Sequence, residues 1–342
     1  MNTHRFEQWQ DKALLHGQHA LSDVLRELVH RTDPPSLDRM DVEDDRAFLS
    51  PQLFAHFTLT GHGRMQDAVA GEASDGIAPA IPIGPNWLCL AHIPQIFARL
   101  FTAEGHAVPH LVSPAWAKRH QMHALRAWHL ISRHCKRLAK RLQDSTRHVY
   151  LFHACQPHSF ASLSAHGAMF LNVPNEADEV FFLEDMVHQG AHVAFNAMTH
   201  DKARYFRVKP HLPMSELLGD AAETRSVYSV FHALYTYVLI ADVLGAVLEA
   251  GVLDGRQTHE LRGRLAYNLL KFRIDLQNLN QPSIFTAKGQ LLYRRFMAHC
   301  LHHSRRHEHL VQGLDLSNQP YNFSYAHFVQ SNLREELQWS AA

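Results

Sequence analysis

Apolar residues recur at steps of three and four over most of the chain, which is the spacing of amphipathic helices. The pattern predicts helices over roughly 5–31, 113–145, 177–199, 214–250, 256–280, 286–312 and 325–338. The clearest is 113–145, in which Ser113 is the predicted N-cap and Pro114 suits the first helical position. Its apolar stripe is predicted to consist of Leu125, Trp128, Ile131, Cys135, Leu138 and Leu142.

Two short apolar segments are instead typical of β-strands, HVYLFHA at 148–154 and AMFLNVP at 168–174. The sequence therefore predicts a mainly α fold, with a helical core and a small β element. We expect one compact unit over 1–342, built from an N-terminal helical part (1–145), a core (146–312) and a C-terminal segment (313–342).

The composition narrows the class of protein. Lys plus Arg and Asp plus Glu number 33 each, so no net field favours nucleic acid or a membrane surface. The four cysteines lie far apart without a C-x-x-C motif, as is usual in a reducing compartment. The start, MNTHRFEQWQDK, lacks the apolar core of a signal peptide, and no apolar run reaches about 18 residues. We therefore expect a cytoplasmic protein without a membrane span.

Two other stretches stand out by composition. Residues 62–86 are rich in Gly, Pro and Ala and are predicted to be mobile or irregular. The remaining faces of the predicted helix 113–145 are basic, and one interpretation is a solvated face. The other is a docking surface for an acidic peptide or protein. This basic face comprises Lys118, Arg119, Arg126, Arg133, Lys136, Arg137, Lys140 and Arg141.

A pair of histidines stands on the predicted helix 177–199, in the segment DMVHQGAHVAF, for which Asn175 is a candidate N-cap. His188 and His192 are four residues apart, so a helix places both imidazoles on one face, within reach of one metal ion. Because the chain has 29 histidines, the alternative is a pair of partly buried rings bonded to neighbours. Gly190 and Ala191 are small, and leave room for another backbone or a ligand.

Gln189 occupies the position at which zinc proteases with a His-Glu-x-x-His helix carry glutamate. That glutamate takes a proton from the metal-bound water, which a glutamine amide cannot do at neutral pH. The two histidines remain, so metal binding is retained while hydrolysis by that route is excluded. Non-haem Fe(II) oxygenases use three protein ligands and leave positions open for co-substrate and O₂.

A third metal ligand must come from another segment. His232 lies in the middle of an otherwise apolar predicted helix, where a polar ring needs a partner. The alternative is a core histidine bonded to a backbone carbonyl. Three carboxylates stand where a gluzincin-type protease would supply its third ligand, namely Glu216, Asp220 and Glu223. Both sets of ligands predict a metal site between helices.

Two arginines fall at positions that the pattern predicts to be buried. Arg225 is seven residues before His232 and is expected on the same helix face, two turns away. Arg273 interrupts the apolar stripe of LLKFRIDLQNL. A guanidinium directed into a core usually meets a carboxylate. The structural alternative for each is a salt bridge with an acidic residue such as Asp242, Glu249 or Asp275.

Together these motifs resemble the 2-oxoglutarate-dependent HExxH-motif peptide β-hydroxylases, which act in the biosynthesis of ribosomally made, modified peptides. That family has a Ser-rich segment leading into a strand, then the histidine helix. About 40 residues further on, an Arg precedes a third histidine, and a Thr-x-x-Gly turn follows later. The corresponding segments lie within about 150–295 and are SFASLSAHGAMFLNV, VHQGAH, RSVYSVFHALYTY and IFTAKGQLL. A weaker match is LSPQLFAHFTL at 49–59.

The resemblance implies that His188, His192 and His232 hold Fe(II), with 2-oxoglutarate and O₂ as co-substrates. It implies that Arg225 or Arg273 binds the distal carboxylate of 2-oxoglutarate. Residues in the core 146–312 would then bind the metal and the co-substrate.

The implied reaction is hydroxylation of an unactivated β-carbon in a precursor peptide. Gln189 departs from the family, which has Glu there, so this chain lacks that carboxylate beside the implied ligands. Two alternatives stay open: a zinc-dependent hydrolase or its inactive remnant, and a non-catalytic peptide-binding protein.

Overall fold

The computed structural model describes residues 3–60, 79–84, 87–102, 107–109, 112–155 and 158–333. It is 66% helical and has a small mixed sheet, so the predicted mainly α fold with a small β element is confirmed. The chain divides into two compact units, here called the N-terminal unit (2–200) and the C-terminal unit (201–342). Across the expected boundary at 145/146, the strand His148–Phe152 pairs with the strand Trp87–Leu90.

The N-terminal unit begins with a helix of 30 residues that agrees closely with the predicted 5–31. Its helices are α1 (Thr3–Thr32), α2 (Pro34–Leu37), α3 (Asp45–Phe48), α4 (Pro51–Ala55), α5 (Ala98–Thr102), α6 (Pro114–His134), α7 (Lys136–Ser145) and α8 (Glu179–Met198). A π-helical turn, His56–Thr60, continues α4. Helix α8 packs against α1, α6 and α7 and against the last strand of the sheet.

The sheet has four strands in chain order, β1 (Ile81–Gly84), β2 (Trp87–Leu90), β3 (His148–Phe152) and β4 (Ala168–Asn172). β1 and β2 are antiparallel, and β3 is parallel to both of its neighbours. The two predicted strands correspond to β3 and β4. The first two were missed because each has only four residues and β1 contains Pro82, which disfavours a strand. β1 also falls in the stretch predicted to be irregular, of which 62–78 and 85–86 lie outside the described residues.

The predicted helix 113–145 is two helices, because Cys135 leaves helical geometry at φ −132° and ψ 55°. Ser113 caps α6 as predicted, accepting a hydrogen bond from the backbone N–H of Trp116 at 3.2 Å. Of the predicted apolar stripe, four members are buried and Leu125 and Cys135 are half-buried, the four being Trp128, Ile131, Leu138 and Leu142.

Four of the eight cations of the basic face form ion pairs within the N-terminal unit. Arg141 is 5% exposed and its Nε donates to Asp11 at 2.7 Å. Three more of these cations pair with carboxylates: Arg126 with Glu179, Arg137 with Glu7 and Lys140 with Asp144. These ion pairs favour a structural role over a free docking surface for an acidic partner.

The C-terminal unit contains α9 (Met214–Leu218), α10 (Val227–Ala250), α11 (Gly255–Asn278), α12 (Ala287–Arg306), α13 (Glu308–Gly313) and α14 (Tyr325–Ser331). α10 is the central element and packs against α11 and α12. The predicted helix 214–250 is wrong over 219–226, because Gly219 takes a left-handed conformation at φ 67° and Ser226 caps α10. Positions 334–338 of the last predicted helix lie outside the described residues.

Within the described parts of the chain, α10 alone has the length and composition of a membrane-crossing helix, with a mean hydropathy of 1.7 in its most apolar window. The expectation that no segment is apolar enough was therefore too strict. Since 83% of that window is buried inside the protein, the observation is consistent with the core helix of a soluble protein.

Candidate functional site

The histidine pair stands in the second half of α8. The helix is capped by Asp178, whose carboxylate accepts the backbone N–H of Val180 at 2.9 Å. The expected cap, Asn175, is wrong because its side-chain oxygen instead accepts the indole N–H of Trp116 at 3.1 Å. The acidic first turn at Glu179 suits the positive end of the helix dipole.

His188 and His192 lie on one face of α8 with ring centroids 4.9 Å apart and an interplanar angle of 34°. Both residues are partly exposed. Burial of the ring, and then the nearby His188, hold the pKa of His192 well below its usual range. His192 is therefore neutral at physiological pH, which is the form of imidazole that coordinates metals.

Gln189 is 3% exposed, and its amide nitrogen donates to the Asp185 carboxylate at 3.4 Å, one turn earlier on α8. Its amide oxygen is buried and has no hydrogen-bond partner among the described residues. Glutamine is therefore suited to position 189, because a glutamate there would place a second negative charge beside Asp185.

The sequence predicted that Gly190 leaves room for another backbone or for a ligand, and the structure uses this space for packing. A Cβ at Gly190 would lie 2.5 Å from Cδ2 of Leu142 on α7 and 3.1 Å from Cε of Met169 on β4. The glycine therefore allows α8 to pack closely against its own unit, and these side chains rather than a ligand take the space at Gly190.

His232 belongs to the C-terminal unit, where it lies on α10 and is 7% exposed. The ring of Tyr228, one turn earlier, lies 5.4 Å away between centroids. The three competing carboxylates are less suited to ligate a metal. Glu216 and Asp220 are exposed, and Glu223 is paired with Arg225.

Arg225 was expected to share a helix face with His232. This is wrong, because Arg225 precedes the N-cap of α10 and lies outside the helix. Its guanidinium bonds Glu223 through Nε and Nη2, and Asp275 through Nη1 and Nη2, both Asp275 contacts being 2.8 Å. The Tyr237 hydroxyl also donates to Asp275, at 3.0 Å. Burial would lower the pKa of Arg225, but the bonds to the two carboxylates outweigh it and raise the pKa. Arg225 therefore forms the salt bridge with Asp275 that the sequence offered as the alternative to binding a co-substrate.

Arg273 lies on the exposed side of α11. The expectation that it interrupts a buried stripe is therefore wrong, because the buried face of α11 passes through its neighbours Phe272, Asp275 and Leu276 instead. Burial raises the pKa of the Cys300 thiol on α12, and the positive charge of Arg273 acts to lower it.

Two groups of three potential metal ligands occur among the described residues. In the first, His19, Asp23 and Asp45 surround Arg26, which bonds both carboxylates, so a cation is already present there. The second, Asp242, His299 and His303, was missed by the sequence analysis. Its signal was a second His-x-x-x-His spacing, which is easily discounted in a chain with 29 histidines.

No model of a known protein family matches the chain, and comparison with curated proteins gives no significant match. An assignment of function therefore depends on the residues of the chain and on the resemblance of its motifs.

The pH dependence of stability is expected to contain a contribution from Glu179 at the start of α8. Burial acts to raise the pKa of Glu179, but hydrogen bonds from His123 and the backbone, with Arg126, outweigh it and lower the pKa to about 2, from 4.5. The stabilisation is complete above about pH 4.5 and is lost as the pH falls through about 2, a difference of about 3 kcal/mol at most.

The measurement is the urea unfolding free energy of the protein and of Glu179→Gln at about pH 6 and about pH 3. The stabilising effect of Glu179 over Gln should fall by more than half at the lower pH. An equal difference at both values would contradict the hydrogen-bonded carboxylate.

Proposed function

We propose that the protein is a non-haem Fe(II)- and 2-oxoglutarate-dependent oxygenase that hydroxylates an unactivated β-carbon of a residue in a ribosomal precursor peptide. The observation that carries the proposal is the histidine pair of α8, with rings 4.9 Å apart and glutamine at the position of the hydrolytic base. The proposal includes a cytoplasmic location, which agrees with a chain whose most apolar helix is mostly buried.

His188 and His192 would hold the iron, and the resemblance assigns His232 as the third ligand. Bound iron, with 2-oxoglutarate and O₂, supplies the oxidising power to replace a C–H bond by C–OH. The Gln189 amide cannot accept a proton at neutral pH, so it cannot act as the base that a water-activating hydrolase carries at this position. The amide instead donates a hydrogen bond to Oδ1 of Asp185, one turn before the pair.

The distal carboxylate of 2-oxoglutarate needs a guanidinium with free donors. Four of the five N–H donors of Arg225 are used by Glu223 and Asp275, so a bidentate bond to a ligand would require it to release one of them. Arg225 therefore fits the co-substrate poorly in this arrangement. Arg273 is exposed and stays the other candidate.

A zinc-dependent hydrolase is the less favoured alternative, because Glu216 and Asp220 are exposed and Glu223 is paired with Arg225. The basic face does not support a non-catalytic peptide-binding protein, since three of its four cations on α7 are paired with carboxylates.

The deciding experiment is anaerobic titration of the full chain with Fe(II) and 2-oxoglutarate, followed by visible absorption. A weak charge-transfer band from iron to the co-substrate is expected. The band should be lost in His188→Ala and in His192→Ala. It should persist in His129→Ala, a matched control because His129 is an exposed histidine on α6. Absence of the band in the unmodified protein, together with peptide hydrolysis after loading with Zn²⁺, would replace the proposal by the hydrolase.

Gln189→Glu is expected to give no peptidase activity and to destabilise the protein at neutral pH by about 1 to 3 kcal/mol. The new carboxylate would lie against Asp185, 3.4 Å from the present amide nitrogen, at a position that is 3% exposed. Gln189→Met, of similar size without charge, is the control for stability. The assay is cleavage of a generic peptide by the Zn²⁺-loaded variant, and cleavage would contradict the exclusion of hydrolysis.

A further inference from the structure

The C-terminal unit contains a group of potential metal ligands that the proposed oxygenase site does not use. Asp242 on α10 and His299 and His303 on α12 each offer a ligand atom, and these three atoms lie within 4.8 Å of one another. His299 and His303 are four residues apart on one helix, so they project from the same face at successive turns. Packing of α10 against α12 then brings Asp242 to that face.

The distances suit a metal ion of the first transition series. Nε2 of His303 lies 2.8 Å from Oδ1 of Asp242. Two ligand atoms bound to one ion at about 2.0 to 2.2 Å are roughly 3.0 Å apart in octahedral geometry and roughly 3.4 Å apart in tetrahedral geometry. An increase of a few tenths of an ångström between the two side chains is therefore enough to admit an ion.

The imidazoles around this group are incompletely hydrogen-bonded among the described residues. His303 is 6% exposed and its Nδ1 is buried without a hydrogen-bond partner among the described residues. The same is true of Nε2 of His307, which is 3% exposed and whose ring lies 6.1 Å from that of His303. Nδ1 of His303 is not the ring atom that faces Asp242, so these two nitrogens indicate a loosely hydrogen-bonded histidine cluster beside the proposed ligands. Nε2 of His303 is the atom that would bind the ion.

Gly245 on α10 makes the close approach of these rings possible. A Cβ at this position would lie 3.0 Å from Nε2 of His307 and 4.0 Å from Nδ1 of His303. The α10 backbone therefore leaves space for two imidazoles one turn after Asp242. Since the side chain of Asp242 is 40% exposed, an ion can reach the group from solvent.

We propose that Asp242, His299 and His303 form a binding site for a divalent transition-metal ion, with Zn²⁺ as the expected occupant. Two imidazoles and one carboxylate are a ligand set that zinc takes readily, and three protein ligands leave a coordination position open. This site shares no residue with the proposed iron site and does not rest on the proposed oxygenase function.

The test removes the other predicted site first. The full chain carrying His188→Ala and His192→Ala is titrated with Co²⁺, which has visible absorption bands that report its ligands, and Zn²⁺ is then added. We expect one Co²⁺ per chain and its displacement by Zn²⁺, which binds such sites more tightly. His299→Gln and Asp242→Asn, both at partly exposed positions, should each weaken binding by roughly tenfold or more.

The matched control is His302→Gln, because His302 is exposed and adjacent to His303 on α12. It should leave the Co²⁺ spectrum and affinity unchanged. Equal weakening by His302→Gln and His299→Gln would show binding by surface histidines in general and overturn the site. Absence of a Co²⁺ spectrum in the folded double variant would do the same and leave Asp242 and His303 as a simple ion pair.

Discussion

Arg225→Met is expected to lower the unfolding free energy of the C-terminal unit by about 3 kcal/mol. The side chain of Asp275 is 3% exposed, and Arg225 gives its carboxylate two hydrogen bonds of 2.8 Å. Without the guanidinium, the buried charge retains only the Tyr237 hydroxyl among these partners. The value is at the low end for a buried pair because Arg225 itself is 24% exposed.

Arg273→Met is the matched control, since Arg273 is an exposed arginine on α11 and its loss should change stability by less than about 0.5 kcal/mol. Urea unfolding followed by circular dichroism measures both variants. A double variant, Arg225→Met with Asp275→Leu, should recover part of the loss, because no unpaired charge is left at position 275. If Arg225→Met and Arg273→Met are equally stable, the ion pair contributes nothing.

The same arginines separate the structural role from the co-substrate role. Arg225→Lys cannot reproduce the forked contact with Asp275, so it should reduce stability. If Arg225 also held 2-oxoglutarate, this variant would raise the concentration of 2-oxoglutarate that gives half-maximal succinate formation. A rise only in Arg273→Lys would assign the co-substrate carboxylate to Arg273.

The sequence predicted the long helices well because their apolar spacing and caps are local features. The segment 219–226 was not predictable in this way, since the apolar spacing resumes after it and only Gly219 and Ser226 mark the interruption. The bonds of Arg225 to Asp275, 50 residues away, depend on how α10 and α11 pack. No periodicity in the sequence contains that information.

The candidate sites show the same limit. The spacing of His188 and His192 was sufficient to place both rings on one face of α8, as the structure has them. The group of Asp242, His299 and His303 combines a local spacing with a carboxylate from another helix, 57 residues before His299. Asp242 was expected only as a partner for an arginine, because a contact between helices cannot be inferred from spacing along one of them.

Gly17→Ala is expected to destabilise the N-terminal unit by a net amount of about 2 kcal/mol or more. A Cβ at this position of α1 would lie 2.0 Å from the carbonyl oxygen of Ala197 and 2.4 Å from its carbonyl carbon, near the end of α8. These atoms belong to the backbone, so the clash is relieved only if α1 and α8 move apart. Overpacking of this kind costs about 3 kcal/mol, and the better helix propensity of alanine offsets about 1 kcal/mol.

Gly313→Ala is the control, since a Cβ at Gly313 meets nothing within 4 Å and the change should be neutral. Urea unfolding of the two variants gives the comparison. Because Ala197 follows His192 on α8 by five residues, displacement of the helix end should also weaken the charge-transfer band of the histidine pair in Gly17→Ala and not in Gly313→Ala. Wild-type stability and a normal band in Gly17→Ala would mean that α1 does not position α8, and the support for the pair would have to come from α6, α7 and β4 alone.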